Sequence, residues 1–328
     1  MEQQHMFTNR MIRNLLVPVV LEQILNSIMG TADTMMVSNV GSAALSAVSL
    51  VDSINILLIQ AFSALAAGGA IVCAQYIGQK NYEKANMSAR QVLFIITAIS
   101  VAVSAVCLIF QKPLLRLIFG AVEADVMHAS ETYFFYTALS FPFIASYDAA
   151  ASIFRAQENT KGPMIISMIS NIMNIGGNAI LIWVFHLGVA GAAISTLVSR
   201  IFCAVVVLYQ LRKDRQPIVV RDYLKIRPDW SMIGRILGLG IPSGIENSMF
   251  QLGKLAIQST VSTLGTAAIA AQAMTNILEN LNGIAAIGVG VGLMTIVGQC
   301  LGAGRKDEAV YYIKKLCVIA EIVIIVSC

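Results

Sequence analysis

Charge is what this chain lacks most. Of its 328 residues only 12% are Asp, Glu, Lys or Arg, against roughly 25% in an ordinary soluble domain. With 57% hydrophobic residues and a mean hydropathy of +0.75, the polar residues are too few to cover a water-soluble core. Composition therefore excludes a soluble globular protein and predicts an all-α polytopic membrane protein. Its other absences exclude more. The six cysteines (Cys73, Cys107, Cys203, Cys300, Cys317, Cys328) fall singly, with no Cys-x-x-Cys pair and no Cys/His cluster. That argues against a zinc site or a disulfide framework and for small buried hydrophobes. The histidines, His5, His128 and His186, are expected in loops. There is no basic cluster with interleaved aromatics, so the net charge of +4 speaks to membrane topology and not to a nucleic-acid partner. No His-Glu-x-x-His, Gly-x-Ser-x-Gly or paired-Asp metal motif occurs, which argues against an intramembrane enzyme and against a cofactor. No small-residue cleavage site follows the first apolar run, so that run is read as a retained span and not as a signal peptide.

What is present is a series of apolar runs long enough to cross a bilayer, which takes about 20 residues each. Eight are expected, over roughly 14–38, 44–77, 91–111, 130–154, 162–185, 188–211, 232–262 and 266–301, and a ninth begins near 312. Gly68-Gly69 and the series Gly283, Gly288, Gly290, Gly292 mark points of bending or close helix packing. Loops after even-numbered spans carry most of the basic residues, among them Lys80, Lys84, Arg90, Arg155, Lys161, Arg212, Lys213, Arg305 and Lys306. Loops after odd-numbered spans hold Lys112 and Arg116, offset by Glu123 and Asp125. The positive-inside rule then places the N-terminus and the even loops in the cytoplasm of a cell carrying this protein in its plasma membrane.

An internal repeat organises these spans. An offset of 224 residues carries Pro18 onto Pro242, Glu22 onto Glu246, Gly41 onto Gly265, Gln75 onto Gln299 and Gly78 onto Gly302 without a gap. Six spans separate the copies, an even number, so the repeat is parallel, about an axis along the membrane normal, as in the halves of a transporter. The expected division is a six-helix lobe over 1–212, a linker over 213–230 and an incomplete second lobe over 231–328. A complete second copy would run to about residue 436 and bring the spans to about 12.

The first span carries the most chemistry. Pro18 to Asp33 places Glu22, Asn26 and Asp33 within roughly 40° of one another on an otherwise apolar rod. An ionisable group at membrane depth costs at least ~2.5 kcal/mol, so it normally faces a bundle interior or a water-filled path. On the fifth span Asn171, Asn174 and Asn178 share one face, and their amides need polar partners there.

Three passages resemble the multidrug and toxic compound extrusion (MATE) family of cation-coupled transporters. They are the pattern Thr31-Ala-Asp-Thr-Met-Met-Val with Gly41; the loop Phe154-Arg-Ala-Gln-Glu-Asn-Thr-Lys-Gly-Pro-Met164; and Gly240-Ile-Pro-Ser-Gly-Ile-Glu-Asn-Ser together with Gln299-Cys-Leu-Gly-Ala-Gly304. The resemblance implies two six-helix lobes around a central cavity and antiport of Na+ or H+ against drug-like, lipophilic or cationic small molecules. Carried over residue by residue, it implies a cation site made of Asp33, Asn174, Asn178, Thr196 and the Ala192 carbonyl. Where some members have an Asp on the fifth span this chain has Asn178, leaving one carboxylate, which suits a monovalent hard cation. The competing reading of the same residues is a hydrogen-bond network that only fastens the helices.

The remaining intramembrane polar residues fall into pairs. Glu22 with Asn26 and the repeat mate of Glu22, Glu246, and Asp52 and Asn55 with their mates Asn276 and Glu279, are expected to line a shared substrate cavity. The other reading of Glu22 and Glu246 is a pair near helix ends that reaches interfacial water or caps a neighbour. Lys254 and Glu279 are expected to pair, as are Asp148 and Arg155. Alternatives are a flippase for lipid or polyprenol-linked precursors, against which the scarcity of intramembrane basic residues (Lys254, Arg200) argues, and an inactive fragment. Expected partners are the substrate, the coupling cation and membrane lipids, with the protein as a monomer.

Overall fold

The computed structural model describes residues 5–119, 123–213, 216–221, 223, 227–262 and 266–327, without some of the side chains from 255 to 285 and those of 326 and 327. The chain is a bundle of long helices. α1 spans Asn9–Ser38, α2 Ser42–Gly78, α3 Tyr82–Ile109, α4 Gln111–Phe119, α5 Ala124–Ala156 and α6 Lys161–Asn178, which runs on as a π-helical turn over Ala179–Val184. α7 spans Gly188–Leu211, α8 Trp230–Ser262, α9 Thr266–Gly302 and α10 Lys306–Ser327. Six of these (α1, α2, α3, α6 with its π turn, α7 and the later part of α9) are long and apolar enough to cross a membrane. α5, α8 and α10 have 33, 33 and 22 residues. The protein is an all-α polytopic membrane protein.

Helix starts follow local chemistry. Thr8 caps α1, its hydroxyl accepting from the Met11 N–H, and Asn81 caps α3 by accepting from the Lys84 N–H. Each cap satisfies a donor that has no partner within the helix. The short α4, which hydrophobic run length does not reveal, holds Leu115 buried while Leu117 is 83% exposed. His128 lies within α5, not in a loop, because the helix opens with a polar turn at Ala124. Four cysteines (73, 107, 203, 300) are buried as expected, but Cys317 is exposed, and Cys328 falls outside the described residues.

The repeat reappears in the helix ends. α2 and α9 correspond at both termini under the 224-residue offset, α1 and α8 end at equivalent serines, and α3 and α10 start at equivalent positions. Where α2 meets α9 the contact is reciprocal. A Cβ on Gly78 would collide with the Gln299 carbonyl oxygen, and one on Gly302 with that of Gln75. Both glycine-carbonyl pairs are related by the repeat, so the pseudo-twofold axis passes through this crossing. Only glycine lets the backbones approach so closely. Higher up, Gly68 of α2 faces Gly240 of α8 in the same manner. A Cβ on Gly288 or Gly292 would meet Val20 or Leu15 and Leu16 of α1, whereas one on Gly283 or Gly290 would meet nothing among the described residues.

The segments leading into α1 and α8 also mirror each other. Gln91 of α3 donates to the Arg227 carbonyl at 2.7 Å and accepts from the Asp229 N–H at 3.2 Å. On the other side the Tyr312 hydroxyl bonds both the N–H and the carbonyl of Phe7 at 2.9 Å, and Lys315 donates to Asn9 at 2.6 Å. Gln91 and Lys315 are equivalent under the repeat. Each lead-in segment is thus strapped to the third helix of the other copy.

Candidate cation-binding site

The polar stripe of α1 meets the polar face of α6. Asn26 Oδ1 accepts from Asn171 Nδ2 at 3.0 Å and from Ser167 Oγ at 3.1 Å. Two turns on, Asn178 Nδ2 donates to Asp33 Oδ1 at 2.6 Å. Asn26–Asn171 and Asp33–Asn178 share one sequence offset, as two parallel neighbouring helices require. Asn174 completes this side. With its amide nitrogen toward the carboxylate it donates to Asp33 Oδ1 at 2.8 Å and accepts from Thr196 Oγ1 at 3.2 Å.

α7 closes the site from behind. Gly191 rests against the Leu181 backbone and Gly177 against Ser195, which brings α7 close enough for Ser195 Oγ to donate to the Asn174 carbonyl at 2.8 Å. Thr196 Oγ1 also lies 3.0 Å from the Ala192 carbonyl, so its one proton is shared between that carbonyl and Asn174. The π turn begins at the residue after Asn178, and such turns are frequent at functional sites. Asp33, Asn174, Asn178, Thr196 and Ala192 are therefore brought together. They offer one carboxylate, two amide oxygens, a hydroxyl and a carbonyl, a donor set of hard oxygens suited to a small cation. One observation tests that fit. Asn174 and Asn178 are each 1% exposed, and Asn178 Oδ1 has no hydrogen-bond partner among the described residues. A buried amide oxygen of this kind normally has a partner; beside a carboxylate it is a ready ligand.

The residues expected to line a substrate cavity are dispersed. Glu22 lines no opening. It is 2% exposed and is held by Arg155 Nη2 at 3.0 Å and by the Tyr147 hydroxyl at 3.1 Å. Arg155 is thereby taken from Asp148, which instead accepts from Ser63 Oγ at 2.6 Å; the expected Asp148–Arg155 ion pair is not formed. Seven residues of helix separate those two side chains by two turns, and Glu22 from α1 lies nearer. Asn55 is 3% exposed and, with Tyr133 of α5, hydrogen-bonds the half-buried Asp52 at 3.2 Å. Glu246 is exposed. Glu279 pairs with Lys254 at 2.9 Å, as expected, and the side chain of Asn276 lies outside the described residues. Sequence reasoning missed Tyr133, Tyr147, Ser63 and Ser140 as polar partners. Ser130, Tyr133, Thr137 and Ser140 recur at three- and four-residue spacing on α5, a pattern that a search for charge passes over.

A multi-pass helical bundle with a half-buried carboxylate and converging oxygen donors defines the class as a polytopic membrane protein. The chain belongs to the MatE family, whose model matches residues 18–180 and 242–328. It is similar to the probable multidrug resistance protein YoeA of Bacillus subtilis, 28% identical over 302 residues, covering 89% of this chain and 64% of that protein. The probable multidrug resistance protein NorM of Thermotoga maritima is 27% identical over 308 residues, covering 92% and 65%. The chain thus spans just under two thirds of the length of these relatives. In fold it is similar to a MOP superfamily transporter from Pyrococcus furiosus, with a TM-score of 0.89 at 20% identity, covering 96% of this chain and 69% of that one.

Proposed function

We propose that the protein is a secondary active exporter of the plasma membrane, exchanging Na+ or H+ for drug-like, lipophilic or cationic small molecules. In this reading residues 1–212 form one lobe, 213–230 a cytoplasmic linker and 231–328 part of a second lobe, with the N-terminus in the cytoplasm. The observation that carries it is the unpartnered Asn178 Oδ1 beside Asp33, together with the other oxygens gathered there. A network built only to fasten helices would normally give this buried acceptor a partner. The names of the relatives, multidrug resistance proteins, support the substrate class.

The chain's own residues supply the coupling. Asp33 stands on α1, while Asn174, Asn178 and Thr196 stand on α6 and α7. Positive charge taken up at Asp33 replaces amide N–H donation by oxygen ligation, so it alters how α1 sits on α6 and α7. Uptake drives export only if the two access states bind the cation with different affinity. Replacing Asp33 by Asn in proteoliposomes is expected to abolish gradient-driven efflux while leaving the protein folded. Unchanged coupled efflux would overturn the assignment.

A further inference from the structure

Within the first seven helices four intramembrane carboxylates (Glu22, Asp33, Asp52 and Asp148) stand among two guanidinium groups, Arg155 and Arg200. Glu22 and Arg155 neutralise each other at 3.0 Å. Arg200, one turn beyond Thr196 on α7, has no carboxylate within 4 Å among the described residues. Its Nη1 donates to Ser140 Oγ at 2.7 Å, and its charge acts on Asp52, Asp148 and Asp33 together. Three carboxylates around one guanidinium leave two negative charges unmatched, which is costly at membrane depth. Asp33 accounts for one.

The other falls to Asp52 by geometry. Its Oδ1 accepts from Asn55 Nδ2 on its own helix and from the Tyr133 hydroxyl on α5, both at 3.2 Å. Asn55 is 3% exposed and its amide oxygen has no partner among the described residues. The amide nitrogen holds the carboxylate while the amide oxygen stands free beside it, the same arrangement that Asn178 makes with Asp33. Asp148 differs, since Ser63 holds it and no unpartnered amide accompanies it. We propose that Asp52, Asn55 and Tyr133 form a second station for a monovalent hard cation, in electrostatic series with Asp33 and moderated by Arg200. One carboxylate at each station, with a guanidinium facing both, favours single charge over double. Filling either station raises the cost of filling the other.

The proposal rests on the reading of Asp33 as a cation ligand, and equilibrium binding of radioactive sodium to the purified chain at alkaline pH separates the two. The wild-type chain is expected to bind two sodium ions, Asp33→Asn one, Asp52→Asn one and the double variant none, with circular dichroism confirming folded protein. Two ions retained in Asp52→Asn, or a wild-type count of one that Asp33→Asn removes, overturns the second station and leaves the first. A count unaffected by Asp33→Asn overturns the first as a sodium site, and no sodium bound by the wild type overturns the second station and leaves H+ as the ion taken up at Asp33. Arg200→Gln serves as a variant that adds no buried charge and keeps a side chain able to donate to Ser140. The ion lost in Asp52→Asn is expected to bind about tenfold more tightly in it. Unchanged affinity there overturns the role of Arg200.

Discussion

The helices α1–α3 and α8–α10 share one sequence repeat and several helix ends, yet their charges meet different fates. Glu22 and Glu246 occupy equivalent positions, but one is buried against Arg155 and Tyr147 while the other is exposed. Asp33 sits in a cluster of amides and hydroxyls, and its counterpart Ile257 is 59% exposed. Among the groups that do correspond are the ones that set backbone approach: Gly78 and Gly302, Gln75 and Gln299, and the helix ends themselves. A repeat of this kind transmits shape through small residues and run length, whereas a charge is fixed only by the partners that neighbouring helices bring. The partner of Glu22 comes from α5, and Arg155 has no counterpart within residues 1–328.

The contrast is broken most strongly at the buried ion pair. Arg155→Ala leaves Glu22 uncompensated and is expected to destabilise the folded protein by about 3–5 kcal/mol. Glu246→Gln is expected to change stability by no more than about 0.5 kcal/mol. Thermal unfolding in detergent micelles reads both, and equal effects would remove the distinction between the copies. A smaller loss is expected at the shared crossing. Gly302→Val and Gly78→Val each force α2 and α9 apart, at about 1–3 kcal/mol, and by symmetry the two should be alike. A large loss in one alone would show that the crossing is not reciprocal.

The smallest effect concerns the straps. Glu308 accepts from the Met6 N–H at 2.9 Å and pairs with Arg305 at 2.8 Å. Burial pushes its carboxyl up, but those two partners outweigh it and hold it below the ordinary value. A depressed carboxyl stabilises its contacts above the ordinary pKa of about 4.5 and loses that contribution as pH falls through the lower folded value. The protection factors for hydrogen exchange at residues 5–9 are therefore expected to fall in acid, while those at the Gln91 contacts of the other strap, made by a side chain with no titrating proton, are unaffected. Equal acid sensitivity at both straps would sink the role given to Glu308.

Much of the cation site was legible beforehand because helical periodicity is rigid. Glu22, Asn26 and Asp33 share a face, as do Asn171, Asn174 and Asn178, and buried polar faces must meet other polar groups. Which atom bonds which was not legible. Asn171 goes to Asn26 and not to Asp33, Arg155 turns from Asp148 to Glu22, and Asp52 and Asn55 turn inward to Tyr133. These choices depend on distances between helices far apart in sequence, for which periodicity has no term. The short α4 escaped notice because its nine residues are too few to register as an apolar run.

By itself, the amino-acid sequence determined the membrane environment, the all-helical class, the 224-residue repeat and the polar face of each helix. All of these follow from composition and from spacing along one chain. Only the tertiary structure decided that Glu22 is a buried counter-ion and that Asp33 stands among four other oxygen donors. It also decided that Asp52 shares that interior with an unpaired amide oxygen and with Arg200. A carboxylate in a bilayer must find a partner, and packing alone decides which of several polar groups lies within hydrogen-bonding reach.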